Sequence, residues 1–247
     1  MNLFDKNNRE EFCTNILVPI IKSVAKKCDH LKYDIEKKGQ GNFVTTADRS
    51  IEQELMKNLR MLLPGAGFVT EESGESCVNG FNWIIDPIDG TTNYIYGLPY
   101  AISVALEFKP KKEILIGIVY NPRDELLYYA CKDTGSYLIR HGIKKKLHVN
   151  KFAPNEGIAI FGMPYDRKKS GKILKIAEKY YAQSSDLKRI GPASLDICMV
   201  ATGQVKMYFE LDLHIWDIAA GMLILLEAGG HYLVEDDLMI FYGDIEV

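Results

Sequence analysis

Between residues 101 and 139 four short apolar runs follow one another closely: Ala101–Phe108, Ile114–Tyr120, Leu126–Ala130 and Gly135–Ile139. Each is parted from the next by Pro, Gly, Asn or Asp signals. Runs of this length bounded by turn residues read as strands. Helical periodicity lies on both sides of the block. Phe12, Ile16, Pro19, Ile20 and Val24 share helix-like spacing between Asn8 and Cys28, with Pro19 placed to kink the helix. Ile51, Leu55, Leu59 and Leu62 repeat the pattern up to Pro64-Gly65. Further strands are expected at Gly67–Thr70, Trp83–Ile85, Ile158–Phe161, Val205–Phe209, His231–Val234 and Met239–Tyr242. Helices are expected at Lys172–Tyr181, Ala193–Thr202 and Asp217–Ala228. Helices before, between and after blocks of strands predict a layered α+β fold rather than a regular βαβ repeat. No linker divides the 247 residues into independent domains.

Composition narrows the function classes. A formal net charge of −3 leaves no basic footprint for nucleic acid, and the short runs Lys144–Lys146 and Arg167–Lys169 read as solvated surface. The polar, acid-bearing start is unlike a signal peptide. The longest apolar stretch, Ile215 to Gly230, is interrupted by Asp217 and Glu227, so no membrane partner is expected. Five dispersed cysteines form no C-x-x-C pair and read as reduced thiols of a cytoplasmic protein.

Acidic residues sit where elements begin or end. Glu71-Glu72 and Asp86-Pro87-Ile88-Asp89 each follow a strand, whereas Asp48 and Asp217 lie at helix starts. Such positions hold side chains rigidly at a cleft. Taken singly, each has a plainer reading: an N-cap for Asp48 and Asp217, a solvated turn for Glu71-Glu72, a turn initiator for Asp86-Pro87. Together they make a site for Mg²⁺, which prefers hard oxygen ligands. Paired ions in phosphatases lie about 3.5–4 Å apart. Gly90-Thr91-Thr92 follows Asp89 at once. Glycine lets backbone approach a ligand, helix-start N–H groups suit a phosphate, and the Thr91 hydroxyl can orient an attacking water.

The run Trp83-Ile84-Ile85-Asp86-Pro87-Ile88-Asp89-Gly90-Thr91-Thr92-Asn93 resembles the first signature of the inositol monophosphatase family. Trp216-Asp217-Ile218-Ala219-Ala220-Gly221, with Glu227-Ala228-Gly229-Gly230, is similar to its second. Val44-Thr45-Thr46-Ala47-Asp48 and Glu71-Glu72-Ser73-Gly74 match two smaller motifs in the family's order, so the resemblance runs from about residue 8 to the carboxyl end. It implies an αβαβα sandwich of the inositol monophosphatase and fructose-1,6-bisphosphatase type, usually a homodimer. Residues 1–247 would form one domain, with a metal-binding part over about 1–145 and a second part over about 146–247 sharing one cleft. The implied activity is Mg²⁺-dependent hydrolysis of a small polyol or sugar phosphate by direct attack of metal-activated water.

The same resemblance assigns roles. Glu71, Asp86 and the Ile88 carbonyl would hold one Mg²⁺, and Asp86, Asp89 and Asp217 a second. Glu71 would help with a weaker third ion. Thr91 and Asp48 would position and deprotonate the water, and the Gly90 and Thr91 N–H groups would meet the phosphate. Glu210 and Ala193 would line the substrate pocket beside Asp89 and Asp217, with Asp212 competing for the role of Glu210. Lys37 is a candidate electrostatic helper, its register shared with Lys38. Lithium inhibition is a family expectation. His214 reads as packing or surface.

Thr92-Asn93, where nucleotide-specific relatives carry Lys-Glu, argues against a 3′,5′-bisphosphate nucleotide. Fructose 1,6-bisphosphate and histidinol phosphate stay open as substrates beside inositol monophosphate. A regulatory or binding protein on a phosphatase scaffold is the alternative of another class, and a damaged carboxylate set would be its mark.

Overall fold

The structure, a computed structural model, describes residues 2–28, 34–39 and 42–244. Helix α1 (Lys6–Phe12) starts on Asp5, whose carboxylate accepts the Asn7 and Asn8 N–H groups. A π turn over Cys13–Leu17 carries the chain into α2 (Val18–Cys28). Pro19 has no N–H to give to the preceding turn, and the π turn ends just before it, where a kink is expected from the sequence. Ile16 is consequently turned out to solvent, while Phe12 and Val24 are buried.

Strands β1 (Ile35–Gly39) and β2 (Asn42–Thr45) pair antiparallel and lead into α3 (Thr46–Leu62). Next come β3 (Gly67–Thr70), β4 (Gly74–Ser76), β5 (Phe81–Asp89) and the short helix α4 (Thr91–Ile95). The strand block is β6 (Ala101–Phe108), β7 (Glu113–Asn121), β8 (Leu126–Cys131), β9 (Gly135–Arg140) and β10 (Ile143–Lys146). These make an eight-stranded sheet in the order β10-β9-β8-β7-β6-β5-β3-β4. All neighbours are antiparallel except β3 and β5.

The rest of the chain gives β11 (Ile158–Phe161), α5 (Ser170–Tyr181), β12 (Asp186–Lys188), α6 (Ala193–Ala201), β13 (Met207–Leu211), α7 (Ile215–Glu227), β14 (His231–Glu235) and β15 (Leu238–Tyr242). Its sheet runs β12-β11-β13-β15-β14. The first three strands are parallel and the rest antiparallel.

Three apolar clusters stack these elements into αβαβα layers. Along β5 and β6 the side chains alternate. Trp83, Ile85, Ile102 and Val104 pack against α2 and α3, while Ile84, Ala101 and Ala105 face α6 and α7. Burying a large aliphatic side chain this fully is worth about 1.5–3 kcal/mol. Ile173, Ala177 and Tyr180 of α5 cover the far face of the smaller sheet over Met207 and Phe209. Apolar on nearly all sides, α7 lies between the sheets as such a helix must. It touches β7 so closely that a Cβ on Gly117 would lie 2.6 Å from the Ala220 carbonyl oxygen. That contact fixes the height of α7, and with it Asp217, over the large sheet.

Strands β1, β2, β4, β10 and β12 are absent from the sequence expectation, whereas α4 is the helix start expected after Gly90. These strands are short, and β4 and β10 are exposed throughout, so no apolar period marks them. The Lys144–Lys146 run lies on exposed β10, at the sheet edge. Among the described residues no helix is long and apolar enough to cross a membrane.

Candidate active site

Strand β5 ends in Asp86-Pro87-Ile88-Asp89. In a regular strand two residues three apart face opposite sides. Here the register with β6 slips between Asp86, opposite Ser103, and Asp89, opposite Ala101. The extra residue is a bulge, and Pro87, which has no N–H for the ladder, sits in it. The slip turns both carboxylates into one cleft. Ligand oxygens of Asp86, Asp89 and Asp217 lie within 4.8 Å of one another.

Asp48 and Asp217 occupy equivalent places on different helices. Each is the third residue of its helix and closes a capping box. Asp48 Oδ2 accepts the Thr45 N–H at 2.7 Å, and Asp217 Oδ2 accepts the His214 N–H at 2.7 Å. The plain capping reading therefore holds for both. In Asp48, one oxygen caps while Oδ1 accepts the Thr91 hydroxyl at 3.1 Å. The same hydroxyl lies 3.3 Å from the Ile88 carbonyl, so Thr91, Asp48 and Ile88 meet at one point.

Gly90 links the bulge to α4 with φ +85°, and a Cβ there would come within 2.9 Å of Pro192. Backbone conformation and close approach both demand glycine. Asp89 Oδ2 in turn accepts the Ser194 N–H at 2.7 Å. Because α6 starts on Pro192, which has no capping side chain, this carboxylate from β5 caps α6 from outside.

Glu71 lines the cleft at the end of β3, and its N–H donates to the Ile85 carbonyl at 3.3 Å. The turn beyond it is held by Glu52 of α3, a buried residue that sequence reasoning missed. Glu52 Oε2 accepts the Glu72 N–H at 2.9 Å, and Oε1 accepts the Ser73 hydroxyl. Its only mark in the sequence is a place one helical turn after Asp48.

A second compartment, of about 740 Å³ against about 290 Å³ for the carboxylate cleft, opens beside it. Ala193, Glu210, Asp196, Arg167, Arg189 and Tyr165 help line it, together with Asp89, Gly90 and Asp217. Glu210 lies over Gly162, where any side chain would collide with its carboxylate, and it accepts the Tyr208 hydroxyl. Asp212 is engaged elsewhere, paired with Lys169 at 2.5 Å. Of the two, Glu210 lines this compartment and Asp212 lines the carboxylate cleft. His214, the residue at the N-cap of α7, is exposed, stacks on Trp216 with ring centroids 4.7 Å apart and lines the carboxylate cleft. Asp196 and Tyr208 were not singled out from sequence, because their place beneath the pocket depends on long-range packing. The side chains of Lys37 and Lys38 lie outside the described residues.

Electrostatics separate this cluster from ordinary surface acids. Burial raises Asp86 well above the usual carboxylate range, and Glu71, Asp89, Asp217 and Asp48 push it further. Burial lifts Asp89 to about 6 against the opposing Ser194 hydrogen bonds, and lifts Glu210 to about 7. Burial raises Asp48 too, offset by its bonds to Thr45 and Thr91. Oδ1 of Asp86 is buried with no hydrogen-bond partner among the described residues. Converging carboxylates with an unpaired buried oxygen fit a hard divalent cation, which would restore their ionised forms.

A layered αβαβα fold with a carboxylate cleft beside a glycine-threonine turn defines the class of metal-dependent phosphatases. The sequence profile of the inositol monophosphatase family matches residues 10–236. Inositol-1-monophosphatase of Caulobacter vibrioides is 36% identical over 208 residues, 82% of this chain and 80% of that protein. Fructose-1,6-bisphosphatase/inositol-1-monophosphatase of Aquifex aeolicus is 35% identical over 204 residues, 81% of this chain and 75% of that protein. Among solved structures, extragenic suppressor protein suhB from Bartonella henselae superposes with a TM-score of 0.83 at 29% identity, covering 94% of each chain. The chain belongs to the inositol monophosphatase family. It is a phosphoric monoester hydrolase of a metal-dependent family that acts on small phosphate esters, and its acidic cluster could hold metal.

Proposed function

We propose that the chain hydrolyses the phosphate monoester of a small polyol or sugar, of the inositol 1-phosphate type, with two to three Mg²⁺ ions. The observation that carries this reading is the convergence of Asp86, Asp89 and Asp217 within 4.8 Å, beside the Thr91–Asp48 pair. Glu71, Asp86 and the Ile88 carbonyl would hold the first ion, Asp86, Asp89 and Asp217 the second, and Glu71 a weaker third. When bound, Mg²⁺ supplies Lewis acidity toward water and phosphate oxygens. Thr91 orients the attacking water through its hydroxyl, and Asp48 Oδ1, 3.1 Å from that hydroxyl, receives the proton. Gly90 and Thr91 N–H groups hold the phosphate. Asp89, Asp217, Ala193 and Glu210 contact the leaving group from the larger compartment.

A sugar bisphosphate is the second reading. Arg167 and Arg189 line that compartment, and the Aquifex relative is named for both activities. In our reading residues 1–145 and 146–247 work as one domain about a shared cleft, the chain acts as a homodimer, and Li⁺ inhibits it. A cytoplasmic setting suits Cys13, Cys77, Cys131 and Cys198, all free thiols.

The test is phosphate release from inositol 1-phosphate, fructose 1,6-bisphosphate, histidinol phosphate, glycerol 2-phosphate and adenosine 3′,5′-bisphosphate. We expect kcat/KM to be highest for inositol 1-phosphate or another polyol or sugar monoester. Preference for fructose 1,6-bisphosphate supports the second reading, and preference for the nucleotide overturns both.

A further inference from the structure

We propose that Glu52 is a positioning residue that sets where Glu71 presents its carboxylate to the metal, an inference that rests on the assignment of Glu71 as a ligand. Glu71 sits on a turn, and turns on their own hold a side chain loosely. This turn is pinned on both sides. The Glu71 N–H is tied to Ile85 of β5 at 3.3 Å, and the next N–H, of Glu72, is tied to Glu52 Oε2 at 2.9 Å. The other oxygen of Glu52 takes the Ser73 hydroxyl. The Ser73 N–H in turn reaches the Thr70 hydroxyl at 3.3 Å. Two consecutive peptide N–H groups around Glu71 thus have fixed partners on two rigid elements.

A carboxylate only 1% exposed is costly to bury unless its oxygens are satisfied, and in Glu52 both are spent on this one turn. Its place on α3 adds a coupling. Asp48 and Glu52 are four residues apart, so they share one face of the helix. The face that carries the proton acceptor paired with Thr91 therefore also carries the anchor of the Glu71 turn, and a shift of α3 moves both together.

The test is direct Mn²⁺ binding, followed by electron paramagnetic resonance on the whole chain, alongside the melting temperature in EDTA. Removing a group bonded to a metal ligand itself weakens metal affinity by about 10–100-fold, and Glu52 acts one residue away from Glu71, so a loss of about 10-fold is expected. Glu52→Gln, which loses one acceptor but keeps its size, is expected to show that loss in a folded protein. Ser73→Ala, removing a single exposed contact, should weaken binding several-fold. A merely structural Glu52 would lower the EDTA melting temperature and leave Mn²⁺ affinity at the wild-type value, and that result overturns the proposal. If Glu52→Gln does not fold, Ser73→Ala decides: weakened Mn²⁺ binding supports the role, and unchanged binding overturns it. Glu71→Gln separates the premise from the proposal. Unchanged Mn²⁺ affinity in that variant would remove Glu71 from the metal site, whereas a loss there with normal Glu52→Gln binding would sink only the role of Glu52.

Discussion

The two walls of the cleft are built by different means. On the carboxylate wall, Asp48, Asp89 and Asp217 each give one oxygen to a backbone N–H at 2.7 Å, on Thr45, Ser194 and His214. Backbone partners at helix starts leave little freedom, and preorganised ligands and dipoles are what catalysis needs. On the wall of the larger compartment Glu210 is held instead by a side chain, accepting the Tyr208 hydroxyl. Tyr165 and Ile190 there are 62% and 43% exposed. Exposed segments held by side chains vary without disturbing the fold. In our reading the chemistry is anchored in backbone-held carboxylates, whereas the choice of leaving group falls to Glu210 and the more exposed residues around it.

The strongest challenge to that division is Asp89→Asn. It removes a charge from the carboxylate wall while keeping the Ser194 hydrogen bond, so turnover should fall by about 10²-fold or more with the fold intact. Normal turnover at saturating Mg²⁺, with an unchanged circular dichroism spectrum, would mean that the carboxylate wall does not carry the chemistry.

Glu210→Gln probes the other wall, and a smaller effect is expected. KM should rise several-fold, the effect of losing one hydrogen bond worth about 1 kcal/mol, for a polyol phosphate but not for an aryl phosphate. Equal losses on both substrates would erase the distinction between the walls.

A further effect, on the stability of the metal-free protein, belongs to pH. Asp89 at about 6 and Glu210 at about 7 lie above the carboxylate range, chiefly through burial. The metal-free native state then holds protons that the unfolded chain has released, so its stability falls as pH rises from about 4.5 through 7. A melting temperature in EDTA that declines across this window, and a flatter profile with Mg²⁺, is the expected outcome. A rising profile in EDTA would contradict the electrostatic account of the cluster.

Much of this was legible beforehand, for physical reasons. Asp86, Asp89, Gly90 and Thr91 are adjacent in sequence, so local rules about proline, glycine and helix starts reach them, while the bulge that aims both carboxylates appears only in the strand register. The buried strands β6 to β8 showed themselves through apolar runs bounded by turn residues. Glu52, Asp196 and Tyr208 did not, because their roles depend on partners that only folding supplies. Glu52 meets Glu72 and Ser73 across 20 and 21 residues. Asp89 caps α6 across 105 residues, a relation no local pattern reveals. The π turn at Cys13–Leu17 stands between the two outcomes: Pro19 announced a disturbance, and only the packing showed its form.

The most direct test of the account is phosphate release from inositol 1-phosphate by the intact chain, measured with Mg²⁺ and then with excess EDTA. The carboxylate cleft predicts turnover with Mg²⁺, its loss in EDTA, and its return when Mg²⁺ is restored. Turnover that continues undiminished in EDTA would contradict the claim that Asp86, Asp89 and Asp217 act by holding metal.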